Sequence, residues 1–353
     1  MLQSNTKSGS RRALMAILVL ALGVVIVLAV GIGAVNVTPA VIVKIILSRL
    51  PGFATLIVPD WAAADDTIIW YYRMPRVILA ALSGASLAVA GTIFQGLFRN
   101  PMADPYVIGV SSGAALGAAI AIVFSIEIHL LGLSAVPILA FAGSLLTIMI
   151  VYRIAKRGNR VAVLTLLLAG IAIGALLSSM VSLLMFLGGE KLHQLVYWLM
   201  GSFSGRHWNY VITGIPYFVI GLGVALFYAR DLNAMLLGEE PAQHLGINVE
   251  NVKKVLLVVA TLLTSTAVAS GGIIAFVGLI IPHIVRMMVG PDHRVLLPAV
   301  VLVGAIALVL ADVLARTVMA PEEIPVGIIT TFCGVPFFIY LLRRSGKTGV
   351  RLE

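Results

Sequence analysis

Ten apolar stretches follow one another through this chain, at about residues 13–35, 68–98, 106–125, 131–154, 161–187, 210–228, 255–270, 273–289, 296–318 and 325–342. A helix needs about 20 such residues to cross the hydrocarbon of a bilayer. Charged residues make up 11% of the sequence and hydrophobic ones 60%, where a soluble domain is about 25% charged. A water-soluble fold has too little polar sequence here to cover itself, so lipid is the expected solvent. The fold class implied is all-α: a polytopic membrane protein of about ten transmembrane helices, with residues 1–353 as one transmembrane domain, because no linker or shift of composition divides the chain. The 34 glycines fit that reading, since helices in lipid associate by close backbone approach. Gly109, Gly113 and Gly117 form a double G-x-x-x-G, and Gly170 and Gly174 repeat the spacing.

The charged minority orients the bundle. With the N-terminus in the cytoplasm and the spans alternating, 17 of the 24 Lys and Arg fall inside. The strongest marker is Arg153-x-x-Lys156-Arg157-x-x-Arg160. Lys44, Arg49, Arg73, Arg76, Lys191, Arg206 and Arg316 fall outside. This bias predicts both termini in the cytoplasm and an even number of spans. The same rule accounts for the net charge of +9. No basic face interleaved with aromatics points to nucleic acid. The first apolar run follows Lys7, Arg11 and Arg12 as a signal peptide would, but it exceeds the usual core of about 7–15 residues, so a retained first span is expected. The single cysteine, Cys333, excludes an internal disulfide and its apolar setting predicts a buried packing residue.

Candidate chemistry is sparse. Gly109-x-Ser111-x-Gly113 matches a nucleophile elbow, yet it sits in an Ala/Gly-rich helical stretch with no strand before it. Ser345-Gly346-Lys347-Thr348 resembles the end of a phosphate-binding loop, but Leu341 stands where the first glycine belongs. The six histidines show no metal-ligand spacing. No catalytic residue, metal site or cofactor is therefore expected in this chain. Ionisable residues at membrane depth say more, because burying them is costly. Asp312 and Arg316 stand four apart, as a helical ion pair would. Arg73 and Arg76 oppose the inside bias; an acidic partner outside and interfacial snorkelling both account for them. The loop 229–254 holds Gly238-Glu-Glu-Pro-Ala-Gln-His-Leu-Gly246. Its acids suit the first turn of a short helix that Pro241 starts and Gly246 ends. Residues 190–205 form an amphipathic stretch, expected as a short surface helix.

Taken together, several motifs resemble the permease subunits of type II ABC importers, the iron-siderophore, haem and cobalamin uptake family of FecCD type. They are Arg73-Met-Pro-Arg76, Gly84-x6-Gly91 with Gln95, Arg99-Asn-Pro-Met-Ala-Asp-Pro105, Leu167-Leu-Ala-Gly170, Tyr197-Trp-Leu-Met-Gly201, Gly278-x3-Pro282-His283, Asp292-His-Arg294, Leu310-Ala-Asp312 and Glu323-Ile-Pro-Val-Gly327, in this order along nearly the whole chain. The resemblance implies ten helices per subunit, a second permease subunit around a shared pathway (a homodimer is expected), two cytoplasmic ATPase subunits that bind ATP and Mg, and a periplasmic or lipid-anchored substrate-binding protein. It implies that Arg73, Arg76 and Arg316 receive acids of the binding protein. Gly238, Glu239, Glu240, Ala242, Leu245 and Gly246 match the element that couples to the ATPase. Asn100 and Met102 match one layer of a cytoplasmic gate, with Met102 where Leu is usual. Val163 and Leu164 stand at a second layer, where another family member has small hydroxyl residues.

The function implied is the membrane-spanning part of an ATP-driven importer in the cell inner membrane, carrying a large metal chelate such as an iron-siderophore or haem, with a corrinoid as the alternative cargo. An ion-gradient transporter is the rival class. It would need ion-binding groups near the midplane, and only Asp312 is a candidate.

Overall fold

In hydrocarbon the backbone amides of an apolar stretch have no partners but one another, so each stretch coils into a helix. The computed structural model describes residues 2–347 except 34, 36, 50, 51, 54, 56 and 159; the side chains of Lys7, Arg11, Arg157, Arg160, Arg344 and Lys347, together with Arg351 and the 345–348 motif, lie outside what it describes. The chain order is α1 (Leu2–Gly31), α2 (Pro39–Ser48), α3 (Ala63–Thr67), a π-helical turn (Ile68–Arg73), α4 (Met74–Leu97), a 3-10 turn (Pro105–Ile108), α5 (Val110–Val123), α6 (Ala135–Ala155), β1 (Lys156–Arg157), β2 (Arg160–Val161) and α7 (Val163–Leu187). Then come a 3-10 turn (Gly189–Lys191), α8 (Leu192–Leu199), α9 (Trp208–Phe227), α10 (Ala229–Met235), α11 (Glu239–His244), α12 (Val249–Gly271), α13 (Val277–Val289), α14 (His293–Thr317) and α15 (Val326–Lys347).

Every expected span falls on a helix, but among the described residues seven helical runs are long and apolar enough to cross a membrane. The other three spans are shorter: α5 has 14 residues and α13 has 13, and the apolar part of α15 ends at Leu341. At 1.5 Å per residue α5 and α13 reach only about 20 Å, short of the hydrocarbon thickness of about 30 Å. The chain unwinds before each. Gly109 is left-handed at φ 83° ahead of α5, and Gly272 (φ 74°) and Phe276 (φ 69°) bound an extended piece ahead of α13. Non-helical backbone at such depth survives where protein satisfies it. Here the Tyr106 hydroxyl donates to Ile274 O at 3.0 Å and accepts from Ile274 N at 3.3 Å, and Ser202 N donates to Gly271 O at 2.7 Å.

Helix α4 is the centre of the bundle. Its membrane window is 83% buried, against 11% for α1 and 17% for α7, which present their faces outward. Small residues let neighbours reach α4: a Cβ on Gly84 would collide with the Gly304 carbonyl of α14, and one on Gly91 with the Gly278 carbonyl of α13. The glycine pattern on α5 acts the same way, with Gly113 against Gly143 and Gly117 against the Leu139 carbonyl of α6. Gly109 differs: it is the left-handed residue that starts α5. Gly117→Ala is expected to cost about 1–3 kcal/mol by overpacking this contact. A thermal unfolding midpoint equal to wild type would show that α5 and α6 separate without strain.

Three features were not expected. Pro39–Ser48 adds a short helix, α2, whose Ile42 and Ile45 are buried. The basic loop after α6 folds into a two-residue antiparallel ladder, with Lys156 opposite Val161 and Arg157 opposite Arg160. Cys333 is exposed, not buried, beside Phe332, which is 75% exposed. An apolar neighbourhood in a membrane chain does not distinguish the core from a lipid-facing side, and the expectation failed for that reason. Residues 190–205 do carry a short helix, α8, but Leu195 and Trp198 bury one face of it in the bundle.

Candidate functional site

The helix bundle gathers its charged side chains at two ends, called outer and inner after the sidedness that the basic residues predict. At the outer end, a π-helical turn brings Ile68–Arg73 into α4, with Pro75 in the first turn of that helix. Arg73 is buried and donates from Nη1 to Val30 O and Gly31 O, both at 3.0 Å, and from Nη2 to Val35 O at 2.6 Å. Arg316 donates from Nη2 to Ala29 O at 2.6 Å and from Nη1 to Ile32 O at 3.0 Å. The last carbonyls of a helix lack internal partners and carry partial negative charge. Arg73 at the end of the π-helical turn and Arg316 of α14 thus cap the C-terminal end of α1. Neither snorkels.

Arg76 is held differently. Its Nε and Nη2 donate to Asp312 Oδ1 at 3.0 and 2.9 Å, and its Nη1 donates to Glu323 Oε1 at 2.8 Å. Asp312 is 1% exposed. The expected pair of Asp312 with Arg316 is present only as a 3.5 Å contact, so the main partner of Asp312 is Arg76, on another helix. Burial alone would raise the pKa of Glu323; Arg76 more than offsets it and holds that carboxyl below its ordinary value. The three arginines line one outer cavity of about 740 Å³, together with Glu323, Ser204 and a fourth arginine, Arg206. Arg206 donates to Tyr210 Oη at 3.0 Å and lies over that ring at 4.8 Å. Four arginines against Asp312 and Glu323 leave the cluster with two positive charges in excess. Sequence spacing did not single out Arg206; its place among the few outer cations was the available signal.

At the inner end, Gly238 (φ 125°) and Gly246 (φ 84°) bracket α11. Glu239 and Glu240 occupy the first turn, as expected. Gly246 N closes the helix on Gln243 O at 2.9 Å. Ala242 is fully buried and holds the helix to the bundle, while Glu240 and Leu245 face outward. Beside it, the turn that follows α4 holds Arg99, left-handed at φ 48°, and Asn100 Oδ1 accepts from Met102 N at 2.8 Å. Val163 begins α7 half-buried, and Leu164 is 69% exposed. A cavity of about 470 Å³ brings Val163 and Leu164 together with Arg99, Glu239, Glu250 and Lys253. Asn100 and Met102 follow Arg99 in the adjoining turn and are not among its lining residues.

The model of the FecCD transport family matches residues 19–344. The chain belongs to the FecCD transport family. It is a multi-pass membrane protein of the permease type found in ABC importers. This FecCD protein is 47% identical over 286 residues to the cobalamin import system permease protein BtuC of Halobacterium salinarum, covering 81% of this chain and 75% of that one. It is 42% identical to the hemin transport system permease protein HmuU of Yersinia pestis, over 81% of this chain and 88% of the relative. Among solved structures, a metal-chelate type ABC transporter in an inward-facing conformation matches with a TM-score of 0.82 and 32% identity, covering 94% of this chain and 99% of that one.

Proposed function

We propose that two copies of this chain form the pathway of an ATP-driven importer for a large metal chelate in the cell inner membrane. Two cytoplasmic ATPase subunits bind ATP and Mg, and a substrate-binding protein delivers cargo from outside. The chain performs no bond chemistry and needs no cofactor of its own. One observation carries the reading: α11, with Glu240 and Leu245 turned outward, shares a cavity, through Glu239, with the start of α7 at the inner end of the bundle. A helix so placed can be moved by a partner and move a gate, with Asn100, Met102, Val163 and Leu164 as the gate. Nucleotide state in the partner then shifts the population between outward- and inward-facing pathways.

At the outer end, the excess positive charge of the Arg73, Arg76, Arg206 and Arg316 cavity favours acids of a docking protein. Arg73 and Arg316 contribute charge more than free donors, because their guanidiniums are tied to α1. Iron-siderophore or haem is the cargo of the main reading. The similarity to the cobalamin permease of Halobacterium salinarum supports a corrinoid as the second.

The test is uptake into vesicles that hold the permease with its ATPase and binding protein. ATP without an ion gradient is expected to drive accumulation of one of three offered chelates: ferric siderophore, haem or cobalamin. Uptake that needs an ion gradient and ignores ATP overturns the reading.

A further inference from the structure

Lys253 is the one buried lysine of the described residues, 4% exposed, while the adjacent Lys254 faces solvent. It sits just past the first turn of α12, where the helix dipole opposes a cation. Burial adds a desolvation cost. Two carboxylates offset both. Lys253 Nζ is 2.7 Å from Glu239 Oε2 on α11 and 3.3 Å from Glu250 Oε1, three residues back on its own helix. The pair within α12 alone would need no burial, since such contacts form on helix surfaces and are worth about 0.2–0.5 kcal/mol. The shorter contact is the one between helices.

The network continues. The other oxygen of Glu250, Oε2, accepts the backbone N–H of Val161 at 2.9 Å. Val161 ends β2 and is itself buried, and Val163 and Leu164 follow within one turn. A continuous polar path thus runs from α11 through Lys253 and Glu250 to the start of α7, along the wall of the inner cavity. Helix α11 has six residues, Glu239–His244, and is bracketed by Gly238 and Gly246, both in backbone conformations that other residues rarely adopt and that suit them as hinges. The buried Ala242 and the Glu239–Lys253 pair hold its middle and its first turn to the bundle.

We propose that Lys253 is a positioning residue that passes a displacement of α11 to the first turn of α7 through Glu250, so that the ATPase-facing helix and the gate move as one. The inference rests on the importer reading above. When α11 is drawn outward, Glu239 pulls Lys253 away from Glu250, Glu250 loses its counter-charge, and its hold on the Val161 amide changes. Coupling of this kind needs an element with two arrangements that both ends bias, and the glycine-hinged α11 supplies it.

The test uses the whole transporter in vesicles, measuring ATP hydrolysis and cargo uptake together. Lys253→Met is expected to assemble and hydrolyse ATP within about twofold of wild type while uptake per ATP falls about tenfold, and Lys253→Arg is expected to recover at least half of it. Glu250→Gln, which leaves Lys253 paired with Glu239, provides the same reading if Lys253→Met does not assemble. Its uptake per ATP is likewise expected to fall about tenfold. Wild-type uptake per ATP in Lys253→Met or in Glu250→Gln overturns the proposal while the importer reading stands. Absence of ATP-driven uptake in the wild-type complex itself overturns the importer reading and this inference with it.

Discussion

Arg76→Ala is expected to destabilise the folded subunit by about 3–5 kcal/mol, the usual cost of removing one partner of a buried ion pair. The size follows from Asp312. That carboxylate is 1% exposed and is bound by Arg76 through Nε and Nη2. Arg316 compensates only in part: its Nε lies 3.5 Å from Asp312 Oδ2 without forming a hydrogen bond, and both its Nη groups are bonded to carbonyls at the end of α1. Truncating Arg76 leaves the buried carboxylate with that longer contact and none of its hydrogen bonds from Arg76. Replacing both residues, Arg76→Met with Asp312→Leu, is expected to recover most of the loss, since a buried pair exchanged for apolar groups of similar volume is often neutral or better. Thermal unfolding of the purified subunit checks both. A single variant that loses less than about 1 kcal/mol would mean that Asp312 finds another partner or a proton, and the account of the pair would fail. The double variant is also the right protein for a docking measurement. A bare charge reversal at Arg73 and Arg76 would confuse lost docking with a lost fold. If the folded double variant no longer binds the substrate-binding protein, the charge of Arg76 is part of the docking surface. If it binds normally, Arg76 is architectural.

The ion pair also marks where sequence stops being informative. Asp312 and Arg316 stand four apart, and local spacing alone pairs them. The partner that wins comes from a residue 236 positions away, which no local periodicity reports. The spans were legible because a helix is the only way to satisfy backbone in lipid, and the glycines of α5 because close approach demands them. Span lengths were less so. α5 and α13 are short because Gly109, Gly272 and Phe276 unwind the chain ahead of them, and the unwound backbone ahead of α13 finds partners in Tyr106 and Ser202, far away in sequence. Glu239, Glu240 and Gly246 were placed correctly from helix-end chemistry. Their link to α7 was not visible, since it runs through Lys253 and Glu250, which in sequence look like an ordinary exposed pair three apart.

Gly246→Pro is expected to leave the subunit assembled and its ATPase active while uptake per ATP falls by about 100-fold, near the upper end of typical coupling between sites. Gly246 has φ 84°, and its N–H donates to Gln243 O at 2.9 Å. Proline locks φ near −65° and has no N–H, so both features that end α11 are lost. A Cβ at Gly246 would meet nothing within 4 Å, so the strain of the substitution lies in the backbone and not in a side-chain clash. Ala242 still anchors the helix middle. What changes is the direction of Leu245 and of the chain leading into α12, where Glu250 and Lys253 lie. Reversal of Glu240 to Lys tests the same surface by charge alone, since Glu240 faces outward and takes part in no ion pair of the described structure. Measuring hydrolysis and uptake in one preparation separates the outcomes. If hydrolysis persists and uptake is lost, α11 transmits motion. If both fall together, the change has cost the ATPase its seat and α11 is a docking element. If neither moves in either variant, the ATPase meets the permease elsewhere.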